Sequence, residues 1–82
     1  MKLWLLLPHD VNSSPWKPWY DKAFGFVVRA ETAAEARDLA HEQGGNENWT
    51  SVTPWLDSTY SSCEPLEASG NVEVIMRDFQ SA

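Results

Sequence analysis

The spacing of apolar side chains changes several times along this chain, and each change predicts a new element. Segment 2–7, "KLWLLL", is continuously apolar and is closed by Pro8. This predicts a strand that is covered on both faces or lies centrally in its sheet. Segment 23–30, "AFGFVVRA", alternates and predicts a strand with one apolar face. That face carries Phe24, Phe26 and Val28.

A helix is predicted directly after this second strand, in "ETAAEARDLAHEQGG". Thr32 is a favourable N-cap, Glu35 three residues later completes a capping box, and the glycine pair at 44–45 marks the end. The residues that share one face at helical spacing are Ala33, Ala36, Leu39, Ala40 and Gln43. Because this face is mostly alanine, the helix is expected to lie close against a sheet.

Segment 46–59 allows two interpretations. It is either a strand broken at Pro54 or an irregular segment anchored by Trp49 and Trp55. The choice stays open at the level of the sequence.

Two further strands are predicted near the end of the chain, "YSSCEPLE" and "NVEVIMRDF", joined by the hairpin connection "ASGN". The order of elements predicts an α+β fold, with one α-helix packed on a mostly antiparallel four-stranded sheet in the order β-β-α-β-β. A chain of 82 residues has room for one hydrophobic core, so residues 1–82 are expected to form a single domain.

Twelve acidic and six basic side chains give the chain a net charge of −6. An acidic surface repels phosphate backbones and anionic membranes, so direct binding to nucleic acid is not expected. The same charge suits a partner that has a basic groove. A requirement for solubility also explains a charge of this size, and from the charge alone it is the favoured explanation.

The apolar runs and the cysteine content predict a cytoplasmic protein. Cys63 is the only cysteine, which excludes an intrachain disulfide and gives no sign of an oxidising compartment. The apolar run at the N-terminus is shorter than the ~7–15 residues of a signal-peptide core. No run approaches the ~18 apolar residues of a membrane span.

Residues that would carry catalysis or hold a cofactor do not form a recognisable pattern. A Cys63 nucleophile would need a base, and only His9 and His41 are available. Metal-ligand spacings and phosphate-binding loops are missing from the sequence. We therefore expect no enzyme activity, no metal and no cofactor. A small-molecule binder or an unrecognised enzyme stays as an alternative that requires a pocket around Trp16, Trp19, Trp55 or Cys63.

The stretch "PWYDKAFGFVVRAETAAEARDLA" resembles one shared by short uncharacterised proteins of bacterial and phage genomes, in which a "VVRA" strand leads into a helix that begins Thr-x-x-Glu-Ala. The later "PWLDSTYSSCEPL" and "VIMRDF" are similar to the same kind of protein, so the resemblance covers most of the chain. It implies an α+β fold and a prokaryotic or viral origin. It implies no catalytic residues.

The segment "PWKPWY" concentrates aromatic side chains between two prolines that restrict the backbone. Two roles are open: the rings of Trp16 and Trp19 cover the core, or at least one of them is held out to a partner. The candidate partner-binding residues are Trp16, Trp19, Tyr20, Glu35, Asp38 and Glu42. A solvated helix face would explain the three acids equally well.

The leading hypothesis is a non-catalytic, acidic, protein-binding module. The alternative is an anti-CRISPR-like inhibitor, encoded by a phage or a mobile element, whose acids mimic nucleic acid in a host defence complex. Steep salt dependence of binding would favour the mimic, and anchoring by aromatic rings would favour the module. A homodimer stays open, because an end strand can pair with a copy of itself.

Overall fold

The structure is a computed structural model, and it describes residues 1–18 and 20–79. Its elements are β1 (Lys2–Pro8), β2 (Phe26–Ala30), α1 (Ala33–Gln43), a 3₁₀ turn (Asn46–Trp49) and β3 (Ser61–Pro65). The α+β class is confirmed. The prediction of four strands is wrong, because the described residues form a three-stranded sheet in the order β2-β1-β3.

Both neighbours of the central strand β1 run antiparallel to it. Trp4 lies opposite Val28 on one side, and Leu6 lies opposite Cys63 on the other. The continuously apolar character of β1 agrees with this central position, because a central strand exposes little of either face.

Hydrogen bonds at the ends of β1 and β3 show which backbone groups point to which neighbour. His9 N–H donates to Tyr60 C=O at 2.9 Å, and Leu66 N–H donates to Leu3 C=O at 2.9 Å. The odd-numbered residues of β1 therefore bond to β3, and the even-numbered ones bond to β2. On the outer strands, it follows that the odd-numbered residues of β2 and β3 direct their N–H and C=O groups away from the sheet.

The predicted fourth strand fails because the outer edge of β3 is a poor template for it. Pro65 has no N–H to offer, and the carbonyl of Ser61 already accepts a bond from Arg37 Nη2 at 2.9 Å. Residues 71–79 therefore form no strand, despite their alternating pattern. They run close to the face of the sheet opposite α1, where a Cβ placed on Gly25 would lie 3.6 Å from Met76 Cε.

The helix lies on the other face of the sheet, and the core sits between them. Two of its alanines, Ala36 and Ala40, are fully buried and pack with Leu6, Trp16 and Trp55. Small side chains let the helix axis come close to the strands, so a short chain buries two tryptophans beside it.

The predicted capping of α1 is present at its start. Thr32 Oγ1 accepts a hydrogen bond from Glu35 N–H at 3.2 Å, which satisfies one of the free donors of the first turn. At the other end, the glycine pair has a different role from a left-handed cap, because Gly44 has φ −70°. Gly45 is required by close contact: a Cβ there would lie 2.0 Å from the carbonyl oxygen of Asp21.

Segment 46–59 is irregular rather than a broken strand. Pro54 and Trp55 are buried and anchor it to the core, whereas Trp49 is exposed. Within the described residues, the one helix is too short and too polar to cross a membrane.

Candidate functional site

The aromatic loop separates into a buried ring and an exposed one. Trp16 is fully buried, its indole N–H donates to Ala23 C=O at 2.9 Å, and its ring meets that of Trp55 edge-on with centroids 5.4 Å apart. Tyr20 is 71% exposed. Trp19 lies outside the described residues. Trp16 is therefore part of the core, whereas Tyr20 lies at the surface.

A buried carboxylate, which the sequence analysis missed, joins this loop to the rest of the core. Glu47 is fully buried, and its side chain accepts hydrogen bonds from Trp55 Nε1 at 2.6 Å, Ala23 N–H at 3.1 Å and Gly45 N–H at 3.0 Å. Three donors compensate for the removal of this group from water. Nothing in the polar segment "NENW" distinguishes Glu47 from a surface acid, so no sequence signal could have found it.

Arg37 is also used inside the fold. Its Nη1 donates to Trp55 C=O and to Ser61 Oγ, both at 2.9 Å, and its Nη2 donates to Ser61 C=O at 2.9 Å. The guanidinium therefore ties α1 to β3 and to the segment before it. Among the described residues, it forms no ion pair with the acids of α1.

Those acids stay exposed and form no ion pair with any described residue. Glu35, Asp38 and Glu42 are all at the surface. Within the described residues, the one ion pair is a 4.0 Å contact between the N-terminal amino group of Met1 and Glu31. One flank of the helix therefore presents uncompensated negative charge.

A shallow groove of about 340 Å³ lies between this flank and the outer edge of β2. We call it the edge groove, and it is lined by Met1, Arg29, Ala30, Glu35, Asp38 and Leu39. Leu39 was predicted to share the buried face of the helix, but it is 41% exposed here. The structure thus brings Glu35 and Asp38 together at one site, and Glu42 is not part of the lining.

The edge of β2 beside this groove is open. Val27 and Arg29 direct their N–H and C=O groups outward, and no described residue forms a hydrogen bond with these groups. Both side chains are exposed as well, Val27 to 55%.

The edge of β3, by contrast, is blocked at both of its ends, in ways that protect sheets from unwanted pairing. The N–H of Ser61 donates to Asp57 C=O at 3.2 Å, and its carbonyl is bound by Arg37. Pro65, four residues further along at the end of the strand, has no N–H. Between them, Cys63 directs its N–H and C=O outward, and no described residue bonds to these groups. The two edges of this small sheet therefore differ in how readily a further strand could pair with them.

The groups that could carry chemistry are apart from the edge groove. Cys63 is half-buried, its Sγ lies 3.9 Å from Ala33 C=O, and burial raises the pKa of its thiol, an effect that Arg37 partly offsets. The ring of His9 bonds to Ser58 C=O at 2.9 Å. Among residues 1–18 and 20–79, no three His, Cys, Asp or Glu side chains come together as metal ligands would.

Comparisons with protein-family models, with curated proteins and with solved structures found no match for this chain. The resemblance to short bacterial and phage proteins therefore stays a prediction.

Proposed function

We propose that this chain is a non-catalytic cytoplasmic module that binds another protein at the edge groove. The observation that carries the proposal is that the two outer edges of the sheet differ in which of their outward backbone N–H and C=O groups are already bonded or blocked. The edge of β3 is blocked at Ser61 and lacks an N–H at Pro65, so only Cys63 keeps both outward groups free, whereas Val27 and Arg29 on β2 both have outward backbone groups that no described residue pairs. An open edge with exposed side chains is a site that proteins commonly use for recognition.

The charge around the groove indicates the kind of surface that would bind. Glu35 and Asp38 line the groove beside the exposed Leu39, and neither forms an ion pair with a described residue. Of the two cationic residues in the same lining, the amino group of Met1 pairs with Glu31, and the side chain of Arg29 belongs to the face of the sheet that carries Val27. A basic segment would gain charge-assisted contacts there, while Leu39 offers it apolar contact. In the described part of the aromatic loop, Tyr20 is the exposed ring and keeps its predicted role as a further contact.

Affinity capture from a bacterial lysate, followed by binding to the purified captured protein, tests the proposal. Wild type is compared with Glu35→Gln/Asp38→Asn, and the matched control is Glu64→Gln/Glu67→Gln, which removes the same charge from exposed positions elsewhere. We expect the control to bind like wild type and the groove variant to lose about tenfold in affinity. Equal binding by all three proteins would contradict a site at the edge groove.

The acidic inhibitor is the second candidate, and the unpaired acids of α1 favour it. A nucleic-acid mimic uses many carboxylates at once, so its affinity should fall steeply as salt is added. Binding at the edge groove depends on two carboxylates and on contacts that salt does not screen. A shallow dependence of log Kd on log salt concentration supports the module, and a steep one supports the inhibitor.

A further inference from the structure

We propose that the edge groove binds an extended segment of its partner, which adds to β2 as a further strand and alternates basic and apolar side chains. This inference rests on the proposed function and specifies the ligand of the same site. It follows from the positions of the free backbone groups, the exposed side chains and the charges around them.

The backbone of β2 provides the template. Val27 and Arg29 are separated by one residue, and each directs an N–H and a C=O outward. Successive outward pairs on a strand are about 6.8 Å apart, which is the repeat of any extended chain laid beside it. An incoming strand can therefore bond to both residues and bury donors and acceptors that otherwise face water.

The two faces of the sheet determine the side chains of the incoming strand. One face lies toward α1, so side chains there would meet Glu35, Asp38 and Leu39 of the helix flank. The other face carries Val27, which is 55% exposed, and the exposed Arg29 two residues further along. Because side chains alternate between the faces, basic residues facing the helix would alternate with apolar residues beside Val27 and Arg29, where a further basic residue would be repelled.

A second copy of this chain is a poorer occupant of the same edge. Pairing two β2 strands would bring together two helix flanks that carry unpaired Glu35 and Asp38, on chains with a net charge of −6 each. Like charges placed close together at an interface are unfavourable. Charge complementarity therefore selects a basic segment over a copy of the chain.

Synthetic peptides test the inference without knowledge of the natural partner. The probe is a capped nine-residue peptide in which Lys alternates with Val or Thr, and its binding to the full chain is measured by fluorescence anisotropy. Two comparison peptides carry N-methyl groups on alternate amides: one is methylated at every Lys amide and the other at every Val or Thr amide. A third comparison peptide has Glu in place of Lys. We expect one of the two methylated peptides to lose at least about tenfold in affinity, because its methyl groups replace the N–H groups that face β2, and the other to bind like the probe. The Glu peptide should not bind.

Amide hydrogen exchange locates the bound peptide. In the free chain, the N–H of Val28 faces β1 and should exchange slowly, whereas those of Val27 and Arg29 should exchange fast. Binding of the probe should slow the amide exchange of Val27 and Arg29 and leave the exchange rate of Val28 unchanged. On the protein side, Val27→Pro removes one outward N–H without touching the bonds to β1, so it should weaken binding, while Val27→Thr should not.

The outcomes separate this inference from the proposed function. Equal binding of both methylated peptides, or no change in exchange at Val27 and Arg29, overturns strand addition. A dimer that already protects these amides also overturns it, because a second copy then occupies the edge. If no peptide binds but the groove variant still loses the captured protein, the function stands and the inference fails.

Discussion

Trp16 shows how one residue decides between the two roles of the aromatic loop. Its ring is fully buried against Trp55, and its indole N–H is satisfied by Ala23 C=O. We expect Trp16→Ala to lower the free energy of unfolding by about 3–5 kcal/mol, as removal of a core ring does. Tyr20→Ala, at an exposed ring, should cost under about 1 kcal/mol. Urea denaturation of the two variants measures both, and a small loss at Trp16 would mean that its ring is not in the core.

Glu47 has a structural role that cannot be recognised from the sequence. Its carboxylate satisfies three N–H donors, from Trp55, Ala23 and Gly45, in a place that water does not reach. Glu47→Ala leaves these donors unpaired and should destabilise the fold by about 3–5 kcal/mol. The exposed acid Glu67, changed to Ala, should shift the free energy of unfolding by less than about 0.5 kcal/mol. Similar denaturation midpoints for the two variants would rule out a structural role for Glu47.

Cys63 should react as a protected thiol. Burial raises the pKa of its thiol, so at neutral pH the thiolate is scarcer than in a free cysteine. We expect alkylation by iodoacetamide to be slower than for free cysteine at pH ~8 and to keep increasing with pH above ~9. In urea, which exposes the side chain, the rate should match that of the free amino acid. A fast reaction of the folded chain at neutral pH would contradict this description.

At the scale of elements, the glycine pair after α1 is a packing requirement. A Cβ on Gly45 would lie 2.0 Å from the carbonyl oxygen of Asp21, a rigid backbone atom. Gly45→Ala should therefore cost about 3 kcal/mol or more, since backbone must move to admit the methyl group. Gly25→Ala is the control, because the closest atom to its Cβ, at 3.2 Å, is the flexible end of Leu7, and the backbone oxygen of Leu6 lies at an ordinary contact distance of 3.5 Å. It should cost about 1 kcal/mol. Comparable losses in thermal or urea unfolding would refute this explanation.

Local signals predicted the elements whose causes are local. The cap at Thr32 and the apolar run of β1 needed only their own sequence, and both are present in the structure. The fourth strand was wrong because its formation depends on a remote feature, the bond from Arg37 to Ser61 that helps close the edge of β3. A side chain's long-range partner cannot be obtained from periodicity.

The same limit applies to the candidate site. Glu35 and Asp38 were identified from the sequence as candidates, but their position beside an open strand edge follows from the sheet order, which placed β2 at the outside. Leu39 was placed on the helix face expected to lie against the sheet, but it is 41% exposed, because helical spacing identifies a face and does not show how much of it is buried. The sequence therefore named Glu35 and Asp38 as candidates, and tertiary structure was needed to show what they surround.

At the scale of the whole molecule, the charge distribution should keep the open edge of β2 from pairing with itself. The chain has a net charge of −6, and two of its unpaired acids, Glu35 and Asp38, line the edge groove. We expect wild type to sediment as a monomer in analytical ultracentrifugation at about 50 mM salt, where exposed charges still repel over about 10 Å. Glu35→Gln/Asp38→Asn should self-associate more at equal protein concentration, and wild type should follow as added salt screens the repulsion. The control Glu64→Gln/Glu67→Gln removes the same charge away from the groove, so it separates a local effect of the acids from an effect of net charge. A wild-type dimer at low salt, or equal association of the two variants, would show that these acids do not prevent self-association at the edge of β2.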